Sequence, residues 1–193
     1  MKLRDSDPTR IIDEARRLRE ARRSCLLHLP AQEIAHRLGY LAARWLDPDY
    51  PPRVKAVPEM SAATGFPEAM VSLGLDRAFQ QLIPPRLEEL IVEELGDCRR
   101  LDGPASGSRT GHDLRWAAGP ELITHVLAGS IVTPGLWSLC FGLVVKAANL
   151  LKCSSQDPVF LKRFADSLRR ESPDLAECVS VWSWTREEVE MTR

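Results

Sequence analysis

The chain has no CxxC pair, and its five cysteines, Cys25, Cys98, Cys140, Cys153 and Cys178, are odd in number and widely spaced. That spacing points to neither a zinc site nor a disulfide framework. Charge of one sign is also missing. With 26 basic against 27 acidic side chains the net charge is −1, which leaves no electrostatic footprint for nucleic acid or an anionic membrane. The longest apolar stretch is interrupted by Pro134, Gly135 and Lys146, short of the ~20 residues that a membrane-spanning helix needs. Met1 to Pro8 lacks the apolar segment of a secretory signal. A reduced, cytoplasmic protein is therefore expected. Gly103, Gly107 and Gly111 lie in the loop-like stretch RRLDGPASGSRTGHD, but no lysine accompanies them, so the GxxxxGK[ST] phosphate loop is absent. GxGxxG and GxSxG are absent as well.

What is present is an ordinary globular balance, 44% hydrophobic and 27% charged, enough for one domain with a core or a domain plus an extension. Helical spacing of apolar residues predicts helices over 9–27, from Pro30 through Ile34, Leu38, Leu41 and Trp45, and over 67–82 with Met70, Val71, Leu75, Phe79 and Leu82 inward. A further helix over 86–95 turns Leu87, Leu90, Ile91 and Leu95 inward and stops at Gly96. Asp47-Pro48-Asp49-Tyr50-Pro51-Pro52 ends the second helix, and Arg53–Phe66, with no clear period, reads as loop. The arginines Arg16, Arg17, Arg19, Arg22 and Arg23 read as a solvated helix face.

From residue 114 the pattern changes. A possible strand at 114–118 is followed by an apolar run at 122–128, a Pro-containing loop, a helix over 136–148 that is apolar almost all round, and a second run at 149–153. The polar turn Ser154-Ser155-Gln156-Asp157-Pro158, an amphipathic helix carrying Phe160, Phe164 and Leu168, and an alternating run at 178–184 complete a β-α-β-α-β order. That order predicts a parallel sheet with right-handed crossovers. The expected organisation is a helical segment over 1–60, helices and a flexible loop over 61–113, and a partial Rossmann-like nucleotide-binding domain over 114–193.

Ligands of such sheets collect at the carboxyl ends of the strands, so 129–135 and 152–157 are the loops to watch. Lys152 is either an ordinary strand-end lysine or a contact for ribose hydroxyls or a phosphate, with Ser154 and Ser155 beside it. Ser130 is either a loop cap or a donor to a developing oxyanion. His125, within the first run, reads as a core histidine with one satisfied nitrogen. No cysteine is marked as an activated thiolate.

The run HVLAGSIVTPGLWSLCFGLVVKAANLLKCSSQDPVFLKRFADSL resembles the acyl-CoA reductase family, which includes the fatty-acid reductase of bacterial luminescence and belongs to the aldehyde dehydrogenase superfamily. The resemblance extends upstream through ATGFPEAMVSLGLD and downstream through CVSVWSW. It implies NADPH-linked, or NADH-linked, reduction of a long-chain acyl-CoA to the aldehyde through a cysteine thioester. It further implies that Lys152 contacts the adenine-side ribose or its phosphate, that Ser154 and Ser155 flank it, and that Ile131, Thr133 and Trp137 belong to the cofactor side. Ser130 stands where the family commonly has an oxyanion-binding asparagine, Cys153 where the superfamily has proline, and Thr185-Arg186-Glu187 where the family turns on glycines. None of the five cysteines matches the family's nucleophile. The expectation is the N-terminal portion of such a reductase, inactive alone, and either a homo-oligomer or partnered by a complementary chain that carries the catalytic half. The competing expectation is a non-catalytic nucleotide-binding or interaction module.

Overall fold

The computed structural model of the chain describes residues 8–106, 114–127, 132–153 and 159–184. Five helices come first: α1 (Pro8–Ser24), α2 (Ala31–Leu46), α3 (Pro51–Thr64), α4 (Glu68–Gln80) and α5 (Pro84–Leu95). A two-residue antiparallel pair, β1 (Ala105–Ser106) and β2 (Leu114–Arg115), separates them from the remainder. That remainder is β3 (Leu122–Val126), α6 (Val132–Val144), β4 (Ala148–Lys152), α7 (Val159–Glu171), α8 (Pro173–Glu177) and β5 (Val179–Trp182). The architecture is α/β and mostly helical, with a small parallel sheet ordered β3-β4-β5.

Central β4 is buried along its length up to Lys152, as a strand covered on both faces must be. Its alternate residues serve different layers. Leu151 and Cys153 join the main core with α6 and α7, whereas Ala148 and Leu150 pack against Leu18 of α1. The main core continues into α2–α5 through Trp45, which stacks on Phe79 at 5.2 Å and meets Phe160 edge-on at 5.6 Å. Its indole N–H donates to Ser167 Oγ at 2.9 Å, so the buried polar end of the ring is satisfied.

Two expectations are corrected and one is narrowed. The stretch read as loop after Pro52 is helix α3. Pro51 and Pro52 occupy its first turn, where the missing N–H groups cost nothing, so a doublet read only as a stop is also a start. The possible strand at 114–118 forms over Leu114–Arg115, paired antiparallel with Ala105–Ser106 and separate from the parallel sheet. Within α4 and α5, Met70 and Leu90 are exposed although their spacing pointed inward; Val71, Leu75, Leu87 and Ile91 form the buried stripes. Gly96 ends α5 as expected, at φ 76° with its N–H on Val92 O at 2.7 Å. Helix α6 begins earlier than its apolar run suggests because Pro134 is tolerated in the first turn, and it ends before Lys146, which sits at φ 58°. Lys146 is buried: its ammonium meets Asp102 Oδ1 at 2.6 Å, and the same oxygen accepts the N–H of Ala31 at the start of α2.

Candidate functional site

The parallel register brings Val126, Lys152 and Trp182 side by side at the carboxyl edge of the sheet. Backbone bonds carry this pairing one step further, from Leu127 N–H to Lys152 O at 3.0 Å and from Cys153 N–H to Trp182 O at 2.8 Å. All three side chains share the face that α1 covers lower down. At this edge the cover has run out: Val126 is 70% exposed and Lys152 is half-buried. The Lys152 ammonium lies 5.8 Å from the centre of the Trp184 ring, within cation–π range. No salt bridge joins Lys152 to a carboxylate among the described residues. The edge therefore presents a cation and an indole plane together, a combination suited to a phosphorylated, ring-bearing ligand.

The opposite face carries a buried polar network. His125 Nε2 lies 2.8 Å from Asn149 Oδ1, and His125 Nδ1 lies 2.7 Å from Ser138 Oγ. Asn149 Nδ2–H donates to Ala147 O at 2.8 Å, which turns its Oδ1 toward the histidine. The proton is thereby assigned to Nε2, and Nδ1 accepts from the Ser138 hydroxyl. Both ring nitrogens are satisfied, one more than the sequence alone suggested. The network ties β3, β4 and α6 together, the two elements that flank residues 128–131 among them. Asn149 and Ser138 lie at ordinary strand and helix positions, and only the register reveals their shared partner.

The other predicted residues divide cleanly. Ser130, Ile131, Ser154 and Ser155 lie outside the described residues, and Thr133 is described by backbone alone, in the first turn of α6. Trp137 is turned toward the helical layer, its indole N–H donating to Ala78 O at 3.1 Å and its ring 6.5 Å from that of Phe141. Four of the five thiols, those of Cys98, Cys140, Cys153 and Cys178, are poor nucleophiles. Burial pushes Cys140 and Cys178 up to about 12, and burial with nearby Asp97 and Asp102 raises Cys98. Cys153 is buried beneath the strand end. Among the described residues no His, Cys, Asp and Glu cluster could hold a metal ion, and no helix is long and apolar enough to cross a membrane.

The sequence profile of the family described as acyl-CoA reductase (LuxC) matches residues 26–193. The chain belongs to the acyl-CoA reductase (LuxC) family. The match begins at the turn after α1 and takes in α2–α8 and the whole parallel sheet, including Lys152. Helix α1, which covers the second face of the LuxC-family sheet, precedes it. No curated protein matches the chain.

Proposed function

We propose that this member of the LuxC family contributes the cofactor side of an acyl-CoA reductase, binding NADPH or NADH at the carboxyl edge of a Rossmann-like sheet. The observation that carries the reading is the family match across the sheet, with a half-buried lysine at the one strand end where such a cofactor would lie. Lys152 would hold the ribose hydroxyls or 2′-phosphate, with Ser154 and Ser155 adding hydrogen bonds beside it. Trp184, already within reach of the ammonium, would offer a flat surface to the cofactor. When bound, the cofactor supplies the hydride that reduces an acyl thioester to the aldehyde.

Ile131, Thr133 and Ser130 would line the reacting end, where a serine hydroxyl offers one donor to the thioester oxygen. The network of His125, Asn149 and Ser138 joins β3 and α6, the elements on either side of Ser130 in the chain. Burial or nearby carboxylates suppress four of the thiols and Cys25 follows the end of α1 rather than a strand end, so the nucleophile of the proposed reaction is drawn from other polypeptide, such as a complementary chain. An ammonium and an indole side by side at the strand edge support this reading.

The test is the affinity of the purified chain for NADPH and NADH, with Lys152→Ala as the variant. Loss of a charge-assisted contact at a half-buried site weakens binding by roughly tenfold, about 1.4 kcal/mol. A larger loss for NADPH than for NADH assigns the lysine to the 2′-phosphate. Affinity that does not respond to the substitution overturns the assignment. Incubated with a long-chain acyl-CoA and NADPH, the chain by itself is expected to release no aldehyde; sustained aldehyde production would refute the external nucleophile.

A further inference from the structure

Helices α5 and α6 leave an apolar groove between them that neither the core nor the strand-edge site uses. It consists of two clefts of about 250 Å³ and about 360 Å³ that share Leu90 and Phe141. The nearer cleft reaches Trp137, five residues into α6, and has Arg86, Glu89 and Glu93 at its margin. The farther one is lined by Ile91, Leu95, Leu101, Val144 and Val145, with Glu94 the one charged side chain among its described lining residues.

We propose that this groove takes the acyl chain of the thioester substrate; the inference rests on the reductase reading above and names where its hydrocarbon lies. The placement follows from α6. Gly135, in its first turn, packs against Leu127 at the carboxyl end of β3, and at 1.5 Å per residue Trp137 stands only about 7.5 Å from the start of the helix. From Trp137 to Val145 the groove runs on for about 12 Å, away from the strand edge. A thioester carbon held at the edge would send its tail straight down this path. The lining supports a hydrocarbon over other occupants. The farther cleft offers almost no hydrogen-bonding group to a peptide backbone or a sugar, and the combined volume falls in the roughly 300–1,000 Å³ range of small-ligand sites. Leu90 also finds its explanation here. It is 38% exposed despite inward helical spacing, because its side chain forms the wall between the two clefts.

The experiment titrates the whole chain with a homologous series of saturated acyl-CoA thioesters, with free coenzyme A as the blank. Each methylene seated in the groove tightens binding by roughly fourfold until the groove is filled, after which affinity levels off. Leu90→Glu puts a carboxylate at the shared wall and flattens this dependence, while affinity for NADPH stays that of the unaltered chain. Leu90 is part-exposed, so the helix tolerates the change; a diazirine-bearing acyl chain supplies a readout independent of any variant and should label 84–95 and 136–145. Affinity independent of chain length, no binding of any acyl-CoA, a full increment retained by Leu90→Glu, or labelling confined to other helices overturns the groove. The reductase reading is judged separately by the response of NADPH binding to Lys152→Ala.

Discussion

Replacing Gly142 by alanine is a severe perturbation for a change of one methyl group. A Cβ built at Gly142 falls 2.0 Å from Asn149 Oδ1 and 3.0 Å from its Cγ, where no rearrangement of the methyl itself gives relief. Asn149 is fully buried and fixed by two bonds, one accepted from His125 Nε2 and one donated to Ala147 O, both 2.8 Å. Displacing it breaks both. Each bond contributes about 0.5–1.5 kcal/mol, and each buried group left without a partner costs about 1–3 kcal/mol. The loss is about 2–5 kcal/mol, against a gain of at most about 1 kcal/mol in helix propensity for alanine over glycine. A net destabilisation of about 2.5 kcal/mol lowers the urea midpoint by about 1 M for an m value near 2 kcal/mol/M. The double variant Gly142→Ala/Asn149→Ala removes the obstruction, so it should be no less stable than Asn149→Ala alone, giving a coupling energy of 1 kcal/mol or more in a thermodynamic cycle. A Gly142→Ala midpoint equal to or above that of the parent chain would refute the close approach of α6 to β4. With it would go the account of how His125, Asn149 and Ser138 tie β3, β4 and α6 together.

Further outcomes follow from the buried charge and the thiols. Lys146→Met removes one partner of a buried ion pair, for which about 3–5 kcal/mol is usual. Asp102 keeps 30% of its side-chain exposure, so a loss of about 2–3 kcal/mol in urea denaturation is expected, and an unchanged midpoint would contradict the pairing. Cys140 and Cys178, held near 12, should resist iodoacetamide at pH 8 until the chain is unfolded; rapid labelling of either in the native state would show the burial to be wrong. The same shifts set a pH dependence. Above about pH 9 the unfolded chain releases these thiol protons and the folded chain does not, so stability falls from about pH 9 to about pH 12. The slope is about 1.4 kcal/mol per pH unit for each thiol. Substituting either cysteine by alanine should reduce that slope.

The β-α-β-α-β half was legible because each strand is a short apolar run closed by a polar or glycine-bearing segment, a pattern that local residues settle. Helix α3 was not. Its signal is diluted by Pro58 and an exposed Val54, and its amphipathicity is weak enough that the flanking prolines dominated the expectation. Lys146 reads in sequence as an interruption of apolar character. Only the approach of Asp102 makes it a buried residue, and long-range ion pairs leave no local trace. The candidate site divides along the same line. The position of Lys152 at a strand end could be read from the chain, while its indole neighbour and the two partners of His125 depend on strand register. Leu90 shows the converse. Helical spacing identifies an apolar face but does not distinguish a core contact from the wall of an open groove.

Helix α1 has a consequence for the order in which the protein assembles. Its Arg22 donates to Lys146 O at 2.6 Å across a separation of 124 residues, and its Leu18 is buried against Ala148 and Leu150 of β4, with Leu122 and Trp182 beside them. During synthesis at roughly 5–20 residues per second, α1 leaves the ribosome some 6–25 seconds before the strand that covers it exists. Over that interval its apolar stripe is open to water and to other chains. Docking of α1 then requires the closure of a long loop, a contact of high sequence separation of the kind that slows folding, and leaves α1 as the segment on which a chaperone would act.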